Sequence, residues 1–346
     1  MTRIWPALIA AVAAVPLAPS QKPPVTWDPQ ASGVTVRLRG VSAVSSTVAW
    51  ASGAGGTVLR TTDGGRTWQR KAVPGSDGLD FRDVDALGAT TAVVLSIGPG
   101  EGSRIYRTED GGGTWEERFR NADPKAFFDA IAFGDTKHGV AFSDSVDGRF
   151  VVRTTADGGR TWLAVPPGRL PPALPEEGAF AASGTNVAML GSDRIWIGTS
   201  KSRVLRSTDG GRTWSVHATP VATGQATGIF SIAFRDASNG VVVGGNYQQE
   251  DDARDNLAVT DDGGRTWVRP SGAGLSGFRS VVAWLPGRER SVLAIGPRGA
   301  DWSVADGRAW TPAGGNGYDA FSMSPRGDVG WATGAGGRIA RVTLAR

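Results

Sequence analysis

Three arginines hold matching places in three short, related segments: Arg39 in LRGVSAV, Arg82 in FRDVDAL and Arg279 in GFRSVVAW. A guanidinium is a planar fork of donors, and several converging on one point suit a planar anion such as a carboxylate. At the same place two other segments carry an acid, Asp129 in FFDAIAF and Asp319 in YDAFSM. Arg and Asp so arranged can hold a ligand or pair with one another. Asp83, Asp129, Asp144 and Asp319 are also candidates, by position, for the two opposed carboxylates that glycoside hydrolysis requires. Glu177, in the Pro-rich stretch VPPGRLPPALPEEGAF (165–180), and Tyr247, in GGNYQQEDDARDN (244–256), complete the candidate ligand-binding set.

Other chemistries find little material. With two His and no Cys, neither a zinc site nor a thiol nucleophile is supported, and no metal or cofactor is expected. GAGG at 53–56 and 334–337 joins two strands and has no helix after it, so it is not a dinucleotide fingerprint. The formal net charge is +4, with no long run of Lys or Arg, so no nucleic-acid partner is expected.

Such residues need a scaffold to position them, and repetition supplies the outline of one. RTTDGGRTW (60–68) returns as RTEDGGGTW (107–115), DGGRTW (157–162), RSTDGGRTW (206–214) and VTDDGGRTW (259–267), with a decayed copy, ADGRAW, ending at Trp310. The closing Trp residues are 47, 47, 52, 53 and 43 residues apart, the length of one four-stranded propeller blade. Each interval holds short β-branched, apolar runs separated by Gly, Asp and Pro, such as FRDVDAL, TAVVLSIG and SRIYRT. The phrase then spans the hairpin between the third and outer strands. Its Asp (Asp63, Asp110, Asp157, Asp209, Asp262) can accept turn N–H groups, and the two Gly after it permit positive φ. Its Trp (Trp68, Trp115, Trp162, Trp214, Trp267) can bury a ring between sheets. One turn repeated at one place in each blade reads as a structural part.

The pattern S/T-x-D-x-G-x-T-W resembles the Asp-box of sialidases, sortilin-type receptors, some glucan hydrolases and photosystem II stability/assembly-factor-like proteins. The whole chain, with its blade length and DGGRTW core, is most similar to the last group. The resemblance implies a fold-building hairpin away from any active site. It also implies a binding module with an Arg-bearing surface for a protein partner. The sialidase likeness fails at several points. Sialidases have six blades, an Arg-Ile-Pro motif that is absent here, and a Tyr–Glu nucleophile pair. Of Tyr106, Tyr247 and Tyr318, the last two are on the right face, with Glu176 or Glu177 as conceivable partners. The related glucan hydrolases join two propellers around a cleft, and this chain has material for one.

The ends complete the ring. VGWATGAGGRIARV (329–342) parallels VAWASGAGGTVLRT (48–61), and VTWDPQ (25–30) begins with the Thr-Trp that opens outer strands elsewhere. The expected fold is therefore all-β, a seven-bladed propeller closed by the N-terminal strand. Its blades span about 34–73, 79–121, 126–166, 178–220, 228–270, 277–312 and 318–346 plus 25–30, forming a single domain over 21–346. Residues 1–20, MTRIWPALIAAVAAVPLAPS, combine an early cation, an apolar stretch and small residues, as a secretory signal peptide does. An exported monomer, periplasmic or extracellular and without a stable membrane anchor, is expected. Its partner would be a protein or glycan of the cell envelope. Loops 143–149, 165–180 and 244–256 should share the face opposite the repeated turns and carry the function. The leading expectation is a non-catalytic binding or assembly module; the alternative is a glycoside hydrolase using carboxylates at the channel mouth.

Overall fold

The computed structural model describes residues 25–344; the segment read as a signal peptide lies outside them. Seven antiparallel sheets form a seven-bladed β-propeller, six with four strands and the fifth in chain order with three. The inner strands are Leu38–Ala43, Asp80–Ala86, Phe128–Phe133, Val187–Leu190, Thr227–Phe234, Val281–Trp284 and Ala320–Met323. Each packs on the next, and the last returns to the first. The second strands, such as AVVLSI (Ala92–Ile97), are buried almost throughout. A strand sandwiched between two neighbouring blades has no wet face, so its sequence is a continuous apolar run.

Ring closure follows the expectation. Val25–Gln30 pairs with Ile339–Leu344, Val25 opposite Leu344 and Gln30 opposite Ile339. Gln30 clamps the seam: its Oε1 accepts from Trp68 Nε1 at 3.1 Å and Trp331 Nε1 at 3.2 Å, and its Nε2 donates to Gly64 O at 3.1 Å. Trp27 stacks on Tyr318 with ring centroids 5.3 Å apart. The seventh blade is thus completed to four strands by the N-terminal segment, which is also tied to the first blade through Gln30.

The repeated turns are built alike. In the first, Thr61 Oγ1 donates to Asp63 Oδ1 at 2.9 Å and accepts from Gly65 N–H at 2.9 Å. Asp63 then takes Thr67 N–H at 3.0 Å and Thr67 Oγ1 at 2.6 Å. The same bonds recur around Asp110, Asp157, Asp209 and Asp262. So many donors favour the charged form. The Thr67 hydroxyl, then its N–H, hold Asp63 down to about 2, and the Thr114 N–H and hydroxyl do the same for Asp110. In the sixth copy Ala305 replaces the acid; only Ser303 remains, accepting from Gly307 N–H at 3.2 Å. Trp115, Trp162 and Trp267 are buried, Trp68 and Trp214 partly so.

A second device links blades around the axis. The inner strand of one blade donates N–H groups to side chains of the blade before it: Ala43 to Ser322 Oγ, Ala86 to Ser42 Oγ and Val282 to Ser231 Oγ, each at 3.0 Å. Between blades 2 and 3 the acceptors are acids: Ile131 donates to Asp83 at 2.8 Å and Phe133 to Asp85 at 2.9 Å.

Candidate functional site

The inner strands of blades 1, 2, 3 and 5 are each interrupted by a one-residue register shift. The residues left unpaired are Arg39, Arg82, Asp129 and Phe230. A β-bulge bends its strand and re-aims the extra side chain. This explains how Arg39, Arg82 and Phe230 leave the blade and reach the central mouth.

Blade 4 departs most from the pattern. Its inner strand is only Val187–Leu190, and residues 178–186, which the sequence assigned to the start of the blade, do something else. Arg82 Nη1 donates to Ala181 O at 2.6 Å, and Arg39 Nη1 to Ala182 O at 3.4 Å. Ser183 Oγ donates to Ser280 O in blade 6 at 2.7 Å, and Thr185 Oγ1 to Ser231 Oγ in blade 5 at 2.7 Å. A five-residue stretch of blade 4 that meets blades 1, 2, 5 and 6 has to cross the axis; it plugs the channel. Two glycines, Gly178 and Gly184, let the plug's backbone run close over two carboxyls. A Cβ on Gly178 would come within 1.6 Å of Asp144 Oδ1, and one on Gly184, at φ +74°, within 2.2 Å of the Asp83 carboxyl.

Above the plug lies a cavity of about 390 Å³. One wall is cationic, formed by Arg37, Arg39 and Arg82; the other is aromatic, formed by Phe180, Phe230, Phe278 and Tyr247. Phe180 and Phe230 stack with centroids 3.9 Å apart, nearly parallel at 4°. Phe278 meets Phe230 edge-on at 4.6 Å, and Tyr247, 45% exposed, rims both stacked rings. A larger hollow of about 450 Å³ lies between blades 3 and 4 beside the repeated turn at Asp209. The mouth is the stronger candidate because only there do the bulged side chains converge.

The three long loops meet on this face. Ala173 N–H donates to Gly148 O at 3.0 Å, Ser145 N–H to Glu177 O at 3.1 Å, and Tyr247 touches Phe180. The arginine expectation needs correction. Arg279 does not join Arg39 and Arg82. It is 3% exposed, its Nε and Nη2 bound to Asp301 at 2.8 and 2.6 Å and its Nη1 to Phe278 O at 2.8 Å. Its strand begins at Val281 without a bulge, so Arg279 turns inward to a buried acid. Arg37, two residues before Arg39 and not singled out in the sequence, supplies the third guanidinium. It grips Asp319 bidentately, with both bonds at 2.7 Å.

Three proposed ligand-binding acids have structural work as well. Glu177 is buried under Arg203 and also accepts from Thr199 Oγ1 at 2.7 Å and Leu174 N–H at 2.8 Å, which ties down the Pro-rich loop. Asp83 serves the blade 2–blade 3 link. Asp144 accepts from Ala179 N–H at 3.0 Å and anchors the plug. Asp129, 1% exposed, lies against Asp144. Burial first, and then the neighbouring carboxyl, push Asp129 well above the carboxylate range; burial also raises Asp83 and Asp144. Tyr318 is buried beneath Trp27, in no position to act as a nucleophile. Among the described residues, no group of three or more His, Asp or Glu is placed to hold a metal ion.

No family model and no curated protein sequence matches the chain. Solved structures do match in fold. YCF48 bound to D1 peptide superposes with a TM-score of 0.63 at 18% identity, covering 94% of this chain and 97% of that one. YCF48 from Cyanidioschyzon merolae gives 0.64 at 18% identity, covering 91% and 98%. The GH74 xyloglucanase from Xanthomonas campestris gives 0.58 at 16% identity; 92% of this chain covers 53% of that protein, so it matches about half of the enzyme. At these identities the likeness establishes the propeller, and function has to be argued from the site.

Proposed function

We propose that this protein is an exported, non-catalytic binding module that engages a polypeptide of the cell envelope at the mouth opposite the repeated turns. The observation that carries the reading is the plugged channel beneath an open cavity with one cationic and one aromatic wall. A glycosidase needs two carboxylates facing each other across a space that admits a sugar and water. Here Asp83 and Asp144 support the plug, Asp129 lies buried against Asp144, and Asp319 is held by Arg37. Guanidinium groups beside aromatic rings suit a peptide, which offers carboxylates and apolar side chains together. YCF48, a propeller of the same fold, is known with a D1 peptide bound, which is consistent with this use of the scaffold. Export rests on the character of residues 1–20.

Photocrosslinking tests the proposal. A crosslinking amino acid at Tyr247 should capture an envelope polypeptide, one at Arg66 on the repeated-turn face should not, and Arg39→Glu should suppress capture at 247. Equal capture from both faces, or capture indifferent to Arg39→Glu, would remove the mouth from the mechanism.

A further inference from the structure

The charges around the mouth do not balance. Arg37 is matched by Asp319, with both nitrogens engaged at 2.7 Å. Arg82 is matched by Asp80 at 2.8 Å and also holds Ala181 O. Glu250, on the opposite rim, is matched by Arg298 at 3.1 Å. Among the described residues, Arg39, beside Arg37 and Arg82, makes no ion pair, and its hydrogen bond to Ala182 O is long at 3.4 Å. Burial, then the charges of Arg82 and Arg37, push its pKa down to about 10. It remains a cation at neutral pH, held where its charge is poorly compensated. A half-buried cation with only distant carboxylates to offset it is costly, and an incoming anion recovers part of that cost. The surplus is one positive charge, which suits a monoanion.

The other wall sets what the anion is attached to. Phe180 is only partly buried, so the Phe180–Phe230 stack is open to the cavity, and Tyr247 extends the same surface outward. An inorganic anion would leave those rings in water. A carboxylate has the planar shape that a guanidinium fork binds in two places, and an aromatic or branched apolar group beside it would cover the rings. The cavity, at about 390 Å³, is of a size for one such group.

We infer that the mouth cavity is a binding site for a monocarboxylate carried on an aromatic or branched apolar group, the carboxylate on Arg39 and the apolar group on Phe180, Phe230 and Tyr247. The inference rests on the reading of the mouth as the binding face. It adds a chemical class that a free small acid and a peptide ending in an apolar residue would share.

Calorimetric titration of the purified protein with N-acetyl-phenylalanine, its carboxamide and acetate is the direct test. The acid should bind at least about tenfold more tightly than either the amide, which lacks the charge, or acetate, which lacks the ring. Arg39→Ala should reduce the acid to the level of the amide, and Tyr247→Ala should weaken both aromatic probes alike. Thermal melting of each variant identifies any that is misfolded. Arg39→Gln, closer in shape, repeats the test if Arg39→Ala does not fold. Two peptides ending in phenylalanine, one with a free and one with an amidated terminus, separate the sources. A free-ended peptide tighter than N-acetyl-phenylalanine points to a chain end, and the reverse order to a small acid. Equal affinity for acid and amide, no binding of the acid at millimolar concentration, or a folded Arg39 variant with unchanged affinity would overturn the inference. If the amide binds as well as the acid while crosslinking at Tyr247 still captures a polypeptide, the mouth remains the binding face and only the carboxylate chemistry is lost.

Discussion

The rim of repeated turns and the channel mouth use the same kinds of residue to opposite effect. On the rim, Asp63, Asp110, Asp157, Asp209 and Asp262 share a spacing and a role: each closes a turn, and each carboxyl is held below the usual range. At the mouth, Arg39 and Arg279 also share an aligned place, yet one lines an open cavity and the other is locked to Asp301 inside its blade. The buried acids there are pushed up rather than down. The lesson is that an aligned residue keeps its role only where its neighbours repeat as well. A box carries its own partners within nine residues. A residue near the axis can pair within its own blade, as Arg279 does, or across to another, as Arg37 and Arg39 do.

The sharpest break between the two aligned arginines should come from removing each. Arg279→Ala leaves Asp301 buried without its counter-ion, with Ser276 still donating to it, and a loss of about 3–5 kcal/mol in urea unfolding is expected. Arg39→Ala should change stability by less than about 1 kcal/mol, since a poorly compensated cation is lost. Similar losses for both would dissolve the distinction. Next in size is the plug. Gly184 and Gly148 both have φ of +74°, but a Cβ at Gly148 meets nothing within 4 Å. Gly148→Ala should cost about 1 kcal/mol for the left-handed backbone alone, and Gly184→Ala about 2–3 kcal/mol once crowding against Asp83 is added. Matching values would mean that the plug yields freely.

On the rim, Asp209→Ala removes an acceptor serving several donors. It should lower stability by about 1–3 kcal/mol while leaving binding of N-acetyl-phenylalanine at the mouth unchanged; altered affinity would connect the two regions. The smallest effect concerns pH. Burial raises Asp85 to about 6, so the folded state keeps a proton that the unfolded chain has released. Its contribution is greatest below pH 4 and is lost as pH rises from about 4 through 6. The rim acids run the other way: their contribution is present above about pH 4 and falls away toward pH 2. Asp85→Asn should therefore raise stability at pH 7 by about 1–2 kcal/mol and flatten the pH 4–6 part of the profile. Asn can still accept the Phe133 N–H. A profile unchanged between pH 4 and 6 would show that Asp85 titrates normally.

The fold was legible because its signals are local or periodic. The Trp spacing marks the blades, and the Thr-Trp of VTWDPQ marks the closing strand. The mouth was legible only in part. Arg39, Arg82 and Tyr247 reach the cavity, but a bulge depends on the register of two strands, which no single strand reveals. Arg279 therefore looked equivalent to Arg39. Arg37 lies two residues before the aligned position, so the alignment does not mark it. The plug was hidden for a related reason: FAASG falls at the expected start of blade 4, and the partners of this stretch are scattered over blades 1, 2, 5 and 6. Its two glycines, Gly178 and Gly184, were visible, but glycine is too common in this chain for them to stand out.

The seam between Val25–Gln30 and Ile339–Leu344 also sets an order in time. The strand that finishes the seventh sheet emerges among the first residues of the described chain, and its partner among the last of them. Until synthesis reaches residue 339, Val25–Gln30 has no strand to pair with, and the ring stays open however well the middle blades have formed. Contacts this distant in sequence are slow to make, so completion has to follow synthesis. Until then, the unfinished chain carries an exposed strand edge that a chaperone, a protease or another copy can find first.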